Sequence, residues 1–233
     1  VAEEKKTDFT LDPVIVTARG QDKGYQTGDV DTLTTPSFFS TITRDEFEGK
    51  MENLSEVIET QAGIQVRQSG GLGSFSTVSM RGASSEQVMV FMDGVLLNDA
   101  SGGGVDLSNI ALADVASVEI YQGTSPINFG STSIGGVVNI QTRRSAKGFN
   151  ANTLAGYGSF NTRKLSAFIN HKPGKWDYLI SADYMDSDND FEIDNDNGTP
   201  DNPLDDRTED RNNARFDQSN VLARLGLDFT PEA

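Results

Sequence analysis

The chain has 233 residues, a formal net charge of −16 and no cysteine. That acidity excludes a nucleic-acid partner, because phosphate binding needs basic surface. The missing thiols exclude a disulfide framework, a thiolate zinc site and a cysteine nucleophile. A single histidine, His171, leaves little room for histidine-based catalysis or metal binding.

Residues 1–35 are polar apart from one apolar island, Val14-Ile15-Val16, and read as a flexible tail carrying a short extended motif. The start, Val1-Ala2-Glu3-Glu4, has no basic n-region and no apolar core; the reading is a cytoplasmic chain or one whose signal peptide has been removed, and the later motifs favour removal. Residues 36–145 have the texture of an α/β domain. Ile42 to Ile58 predicts a helix, with Thr43 as N-cap, Glu46 as its capping-box partner and Phe47, Met51, Leu54, Val57 and Ile58 at helical spacing. Ala62-Gly63 ends it. Strand-like runs follow at Gly63–Arg67, Val78–Arg81, Gln87–Met92, Val118–Tyr121 and Val137–Thr142, each punctuated by glycine.

From about residue 148 a strict two-residue alternation begins. Ala151, Thr153, Ala155 and Tyr157 share a face in the first segment. Leu165, Ala167 and Ile169 oppose Lys164, Ser166 and Asn170 in the second. In the third, Tyr178, Ile180, Ala182 and Tyr184 oppose Ser181 and Asp183. In the fourth, Val221, Ala223, Leu225, Leu227 and Phe229 oppose Arg224 and Asp228. Gly158–Asn161 and Pro173-Gly174-Lys175 read as tight turns, and a long acidic loop covers roughly 187–219. No run of about 18 apolar residues offers a transmembrane helix, but a barrel strand needs only about 9–11 residues and hides in a hydropathy average. Tyr157, Trp176, Tyr178, Tyr184 and Phe229 near the strand ends fit interfacial girdles. A pair of hairpins on a water-exposed antiparallel sheet would show the same alternation.

Three blocks in residues 36–145 together resemble the plug of TonB-dependent outer-membrane receptors. They are Asn53-Leu54-Ser55-Glu56-Val57-Ile58 through Ala62-Gly63-Ile64-Gln65-Val66; Val78-Ser79-Met80-Arg81-Gly82 with Val88 to Val95; and Val115 to Ile120 through Gly123 and Phe129-Gly130 to Ile134-Gly135-Gly136-Val137-Val138-Asn139-Ile140. Leu11-Asp12-Pro13-Val14-Ile15-Val16-Thr17-Ala18 looks like the TonB box. A β-branched run can add to a partner's sheet edge, while Pro13 has no N–H to pair. The resemblance implies a fold: an α/β plug domain (36–145) followed by antiparallel transmembrane β-barrel strands (146–233), about four of a presumed 22-stranded barrel. It implies TonB as partner, captured through Asp12, Pro13, Val14, Ile15, Val16, Thr17 and Ala18. A stretched tail of residues 1–35 would span tens of ångströms at about 3.3 Å per residue. It implies the outer membrane of a Gram-negative bacterium, with plug and N-terminus toward the periplasm, lipid and lipopolysaccharide around the barrel, and a small-molecule metal complex as cargo.

Arg81 is an unusual residue in an apolar run, and a buried arginine needs a partner. The resemblance places an arginine here in a charge cluster between plug and barrel wall, with Glu119 as companion. Many relatives carry a second arginine where this chain has Gln122, which shrinks that cluster; Arg81 and Glu119 satisfying each other inside the plug is the alternative. The Gly/Ser-rich segments Ser69–Phe75 and Asn98–Gly104 would face outward, making Ser69, Gly70, Leu72, Ser74, Phe75, Asn98, Asp99 and Ser101 the substrate-contact candidates. In the acidic loop, Asp186, Asp188, Asp190, Asp194 and Asp196 are oxygen ligands that suit calcium. The EF-hand pattern fails, since counting from Gly198 puts Ile193 and Leu204 at the first and last ligand positions. The alternative is a solvated acidic surface, with Arg207 and Arg211 pairing locally. No cofactor is required.

There is no Walker A pattern, no Gly-x-Ser-x-Gly and no His-Glu-x-x-His, so no enzyme is predicted. The predicted function is TonB-dependent transport of a scarce large nutrient: a ferric siderophore, cobalamin or a similar metal complex. The alternative is a non-transporting plug-containing component, such as an adhesin, receptor or secretion-linked protein. Four strands cannot close a barrel, and open edges in lipid leave backbone groups unsatisfied. A longer polypeptide, a cleaved one, or a second chain must supply the remaining strands.

Overall fold

The computed structural model describes residue 30 and residues 38–100, 102–123, 125–130, 133–145, 147–211 and 213–227. The domain expected to be a plug is built on a five-stranded sheet of order β1-β6-β7-β4-β5. Its strands are β1 (Phe38–Thr43), β6 (Val115–Gln122), β7 (Gly136–Thr142), β4 (Val88–Met92) and β5 (Val95–Leu96). Only β4 and β7 pair in parallel; the other neighbours are antiparallel. A separate hairpin, β2 (Ile64–Gln68) and β3 (Ser76–Met80), pairs Ile64 with Met80 and Gln68 with Ser76. Alternation within the sheet strands sends Ile42, Val88, Val90, Val118, Ile120, Val138 and Ile140 into one buried cluster, which also takes Leu54, Val57 and Ile58 of the helix α1 (Leu54–Glu59). The opposite face carries a second cluster of Phe91, Tyr121, Phe129 and Val137, with Val30 packed against it.

The helix expected over Ile42–Ile58 is not a single helix. Ile42 lies in β1, Arg44–Glu46 form one 3₁₀ turn, and α1 starts only at Leu54. The Thr43–Glu46 capping box does form, but the turn it opens stops before Gly49, which sits at φ 81°. A left-handed residue cannot continue a right-handed helix. The same signature recurs at Asn53, whose Oδ1 accepts from the Glu56 amide at 2.9 Å while the Asn53 amide donates to Glu56 Oε2 at 3.1 Å. That second box starts α1, and Leu54, Val57 and Ile58 at i, i+3, i+4 bury its inner face.

Four long strands stand against the plug as a wall, in the order β13-β10-β9-β8 and antiparallel throughout. They are β8 (Gly148–Tyr157), β9 (Arg163–Lys172), β10 (Trp176–Ser187) and β13 (Phe216–Leu227). A small hairpin, β11 (Glu192–Asn195) and β12 (Arg207–Asp210), lies within the long connection from β10 to β13. One end of the wall has the short turn after β9; the other carries the Gly158–Thr162 turn and that long connection.

The polarity of the wall is reversed relative to a sheet in water. Its outward face exposes Leu165 (56%), Ile180 (53%), Val221 (77%) and Leu225 (72%), whereas its plug-facing side buries Lys164 (6%), Asn170 (2%) and Ser181 (1%) beside Phe168, Leu179 and Met185. In water, apolar side chains turn inward and polar ones outward. An apolar outer band over a polar interior is the pattern of a strand in lipid.

Candidate functional site

Two regions join plug and wall. The first is a charged seam at the middle of the contact. A cavity of about 220 Å³ lies there, bounded by Arg44 and Glu48 from the turn after β1, Arg143 beyond β7, and Lys164 and Phe168 of β9. Lys164 Nζ donates to the Glu52 carbonyl at 3.3 Å, and Asn152 Nδ2 donates to Glu48 Oε1 at 3.4 Å. Arg44 donates to the Val115 carbonyl at 2.7 Å and pairs with Glu48 at 3.1 Å. The Arg143 guanidinium covers the Phe168 ring. Burial lowers its pKa to about 10, helped by the nearby Arg44 charge.

Asp114, on the turn before β6, completes the seam. Burial raises its pKa first, and repulsion from Asp183 of β10 adds to that. Ser181, Arg143 and Arg44 act in the opposite direction. The Ser181 hydroxyl lies close enough to act on the Asp114 carboxyl, but Asp114 Oδ1 and Ser181 Oγ, both buried, fall outside good hydrogen-bond geometry. A carboxyl with a raised folded-state pKa contributes stability that is fully present below its unfolded value and is lost as pH rises through the raised one. Asp114→Asn should therefore stabilise the protein at neutral pH. It should also flatten the fall in stability just above the ordinary carboxylate range. Urea unfolding in detergent across that range is the measurement, and a variant less stable than wild type at neutral pH would contradict the assignment.

The second region lies at the long-connection end, where the loop 69–75 of the β2–β3 hairpin meets the wall. Asn189, just past β10, is 5% exposed and sits at φ 50°. Its Nδ2 donates to the Leu72 carbonyl at 2.9 Å and to the Ala214 carbonyl at 3.0 Å. One side chain thus ties the plug loop to both flanks of the long connection. Gly73 permits this approach: it has φ 74°, and a Cβ there would lie 1.9 Å from the Phe216 ring. Between loop and wall remains a cavity of about 210 Å³.

Among the substrate-contact candidates, Gly70, Leu72 and Ser74 are half-buried in this junction, and Ser69 and Phe75 are exposed beside it. Asn98 is a correction. Its Oδ1 accepts from the Val90 amide at 2.8 Å and its Nδ2 donates to the Val88 carbonyl at 2.9 Å, so it extends the β4 edge and its amide is spent on backbone. Asp99 lies beside it, on the same connection. Ser101 and the box residues Asp12 to Ala18 lie outside the described residues.

The Arg81–Glu119 pairing is also corrected. Arg81 is not in β3 but one residue beyond it, at φ 49°. Its Nε donates to Gln122 Oε1 at 2.8 Å, and Gln122 Nε2 donates to the Ala62 carbonyl at 2.7 Å. Glu119 is three residues from Gln122 on β6 and so points to the other face. There it accepts from Tyr121 Oη at 3.1 Å, Asn139 Nδ2 at 3.0 Å and Gln141 Nε2 at 2.9 Å. Burial raises the Tyr121 pKa, and the Glu119 charge adds to it.

The five acids Asp186, Asp188, Asp190, Asp194 and Asp196 do not converge, and no cluster of three possible metal-binding side chains occurs among the described residues. The cause is local. Asp188 accepts from Asn161 at 3.0 Å, Asp194 from Thr208 at 3.1 Å and Asp196 from the Gly198 amide at 3.0 Å. Each serves its own turn or hairpin. Sequence reasoning missed Arg44, Asp114, Arg143 and Asn189; of the seam, only Lys164 had a signal, as a cation in the polar register of an alternating strand.

Residues 31–137 match the family model described as TonB-dependent Receptor Plug Domain. Over 126 residues the chain is 36% identical to the vitamin B12 transporter BtuB of Vibrio cholerae serotype O1, covering 54% of this chain and 21% of that protein. It is 31% identical over 121 residues to the protein of the same name from Vibrio vulnificus, covering 52% and 20%. The chain thus spans about a fifth of the length of these relatives. Among solved structures, the FrpB iron transporter from Neisseria meningitidis superposes with a TM-score of 0.65 at 18% identity, over 82% of this chain and 29% of that one. The ferric yersiniabactin uptake receptor FyuA from Yersinia pestis gives 0.58 at 22% identity, over 84% and 30%. Both likenesses include plug and wall strands, and at these identities they concern the fold.

Proposed function

We propose, from the match of residues 31–137 to the TonB-dependent receptor plug-domain model, that the chain supplies the plug and first barrel strands of an active transporter. The cargo is a scarce, large metal-containing nutrient, either cobalamin or a ferric siderophore, carried across the outer membrane. The observation that carries this reading is the reversed wall: an apolar outward face, with Lys164, Ser166, Asn170 and Ser181 turned against the plug among a few apolar side chains. It fits a barrel in lipid whose lumen is filled by a separate, polar-surfaced domain. Short turns in such barrels face the periplasm and long loops face outside. By that rule the acidic connection and the 69–75 loop are extracellular, and Asn189 joins them at the outer mouth. The remaining strands, from the same polypeptide or another, continue from the open edges of β8 and β13.

The test is uptake by cells carrying the full-length receptor, with cobalt-labelled cyanocobalamin and radio-iron-labelled siderophores as probes. At least one probe should accumulate, and accumulation should stop when a protonophore collapses the inner-membrane gradient. Accumulation that ignores the gradient would mean a passive pore. Surface binding without accumulation would mean a non-transporting receptor.

A further inference from the structure

We propose that the outward face of the wall, at its short-turn end, holds the phosphate of an anionic phospholipid of the inner leaflet. Lys147 and Lys175 supply the opposing charge and His171 supplies a hydrogen-bond donor. The proposal rests on the barrel reading for the bilayer around this face, and adds which lipid the face selects and where.

Three strands bring the site together in register. Phe149 of β8 stands opposite His171 of β9, His171 stands opposite Tyr178 of β10, and Tyr178 stands opposite Leu225 of β13. The rings meet edge to face, with the Phe149 and His171 centroids 6.0 Å apart and those of His171 and Tyr178 5.6 Å apart. Side chains of one face recur every second residue, about 6.7 Å along a strand. One row toward the middle of the wall stand Ala151, Ile169, Ile180 and Ala223. One row toward the short turn, Trp176 stands opposite Leu227, with the exposed Lys147 just before β8 and the exposed Lys175 in the turn. Aliphatic, then aromatic, then cationic is the order in which a bilayer passes from hydrocarbon to headgroup.

Charge favours this end over the other. The chain as a whole is strongly acidic, at −16. The one acid in the segment 172–178, Asp177, lies on the plug-facing side, where a Cβ on Gly226 would fall 2.3 Å from its carboxylate. The opposite end of the outward face has Tyr157, Arg163, Asp186 and Asp217 in one row, two acids to one cation. His171 is the single histidine of the chain, and its Nδ1 is buried without a partner. That leaves Nε2 as the ring atom able to donate to a headgroup oxygen. Phenylalanine would fill the space between Phe149 and Tyr178 without any nitrogen to satisfy, so the imidazole is the residue of this row that a purely apolar contact does not explain.

The experiment is native mass spectrometry of the full-length protein in detergent micelles, with three lipids added at equal concentration: phosphatidylglycerol, phosphatidylcholine and diacylglycerol. Phosphatidylglycerol should be retained best. K147A/K175A should weaken its retention by about twenty-fivefold, near fivefold per lysine, and erase its advantage over phosphatidylcholine. His171→Phe keeps the aromatic row and should weaken both phosphate-bearing lipids by about tenfold while leaving diacylglycerol unmoved. Arg67→Ala, which removes an exposed cation from the β2–β3 hairpin, should change nothing. An unchanged thermal unfolding curve for each variant shows that the site, not the fold, was altered; if the double variant unfolds, Lys175→Ala alone decides, by a fall of about fivefold. Equal retention of phosphatidylglycerol and phosphatidylcholine by the wild type, unchanged retention in the lysine variants, or a loss in Arg67→Ala as large as theirs would overturn the proposal. A full-length protein that stayed monodisperse in water without detergent and held no lipid would strike the barrel reading, and this site with it. Lipid preference as expected, in a protein whose cells accumulate no labelled nutrient, would strike the transport reading and leave this site standing.

Discussion

Under the proposed transport reading, a full-length protein lacking residues 11–18 should bind its ligand with unchanged affinity and accumulate none of it in the cell. The reasoning starts from Val14-Ile15-Val16, a β-branched run in an otherwise polar tail. Such a run favours the extended conformation, and its backbone can pair with the edge of a partner's sheet. Deletion removes the handle but touches nothing at the long-connection end, where Leu72, Asn189 and Arg211 meet. Val30 packs against Phe91, Tyr121, Phe129 and Val137 on the sheet face away from the main core. In the proposed coupling, Val30 precedes β1 in the chain, so it is the first described contact that a pull on residues 11–18 would meet. Point substitutions separate pairing from mere length. Ile15→Pro would lose one donor and, at about 1 kcal/mol for that hydrogen bond, should weaken the proposed capture by an energy-coupling partner roughly fivefold before any steric clash is counted. Pro13→Ala restores a donor and leaves uptake intact. Ligand binding to whole cells and accumulation of a labelled probe, measured side by side, decide the matter. Accumulation that survives the deletion would show that residues 11–18 are not the coupling segment.

How far the sequence could be read depended on which physical signal each element leaves. The wall strands were legible because a two-residue period survives without knowledge of tertiary contacts, and β8, β9, β10 and β13 fall where Ala151, Leu165, Tyr178 and Val221 alternate with polar neighbours. What alternation cannot say is which face is inside. That required the plug beside the wall, which buries Lys164 and Asn170 while leaving Leu165 and Ile169 exposed. The helix was overextended because Ile42 and Phe47 sit at helical spacing from Met51, though Ile42 belongs to a strand and Gly49 breaks the path. The Arg81 contact was misassigned because the left-handed turn that carries it out of β3 leaves no trace in composition. Residues 69–75 were chosen for their glycines, and one of those, Gly73, is where the wall comes closest. Asn189 left no sequence signal at all: it is one asparagine among acids, and its role depends on two carbonyls distant in the chain.

That residue carries the largest structural effect expected within the described fold. Asn189→Asp should destabilise the junction by about 1–3 kcal/mol, since two partly buried carbonyls lose their donor at roughly 0.5–1.5 kcal/mol each. The new carboxylate also turns its charge on the Leu72 and Ala214 oxygens. Asn189→Gly is the informative companion. At φ 50° alanine would add backbone strain to the lost side chain, whereas glycine accepts that conformation freely. The glycine variant therefore isolates the bridge from the backbone. Hydrogen exchange in the full-length receptor should show residues 69–75 and 213–216 losing protection together in both variants, while α1 and the plug sheet keep theirs. Joint loss is the signature of a single bridge, because two independent loops would respond separately. If only the wall side opened, the plug loop would be held by Phe216 packing against Gly73 and not by Asn189. If both segments opened, release of this one side chain would be the step that frees the outward loop of the plug from the wall, leaving the charged seam of Arg44, Asp114, Arg143 and Lys164 as the contact that any plug movement must still break.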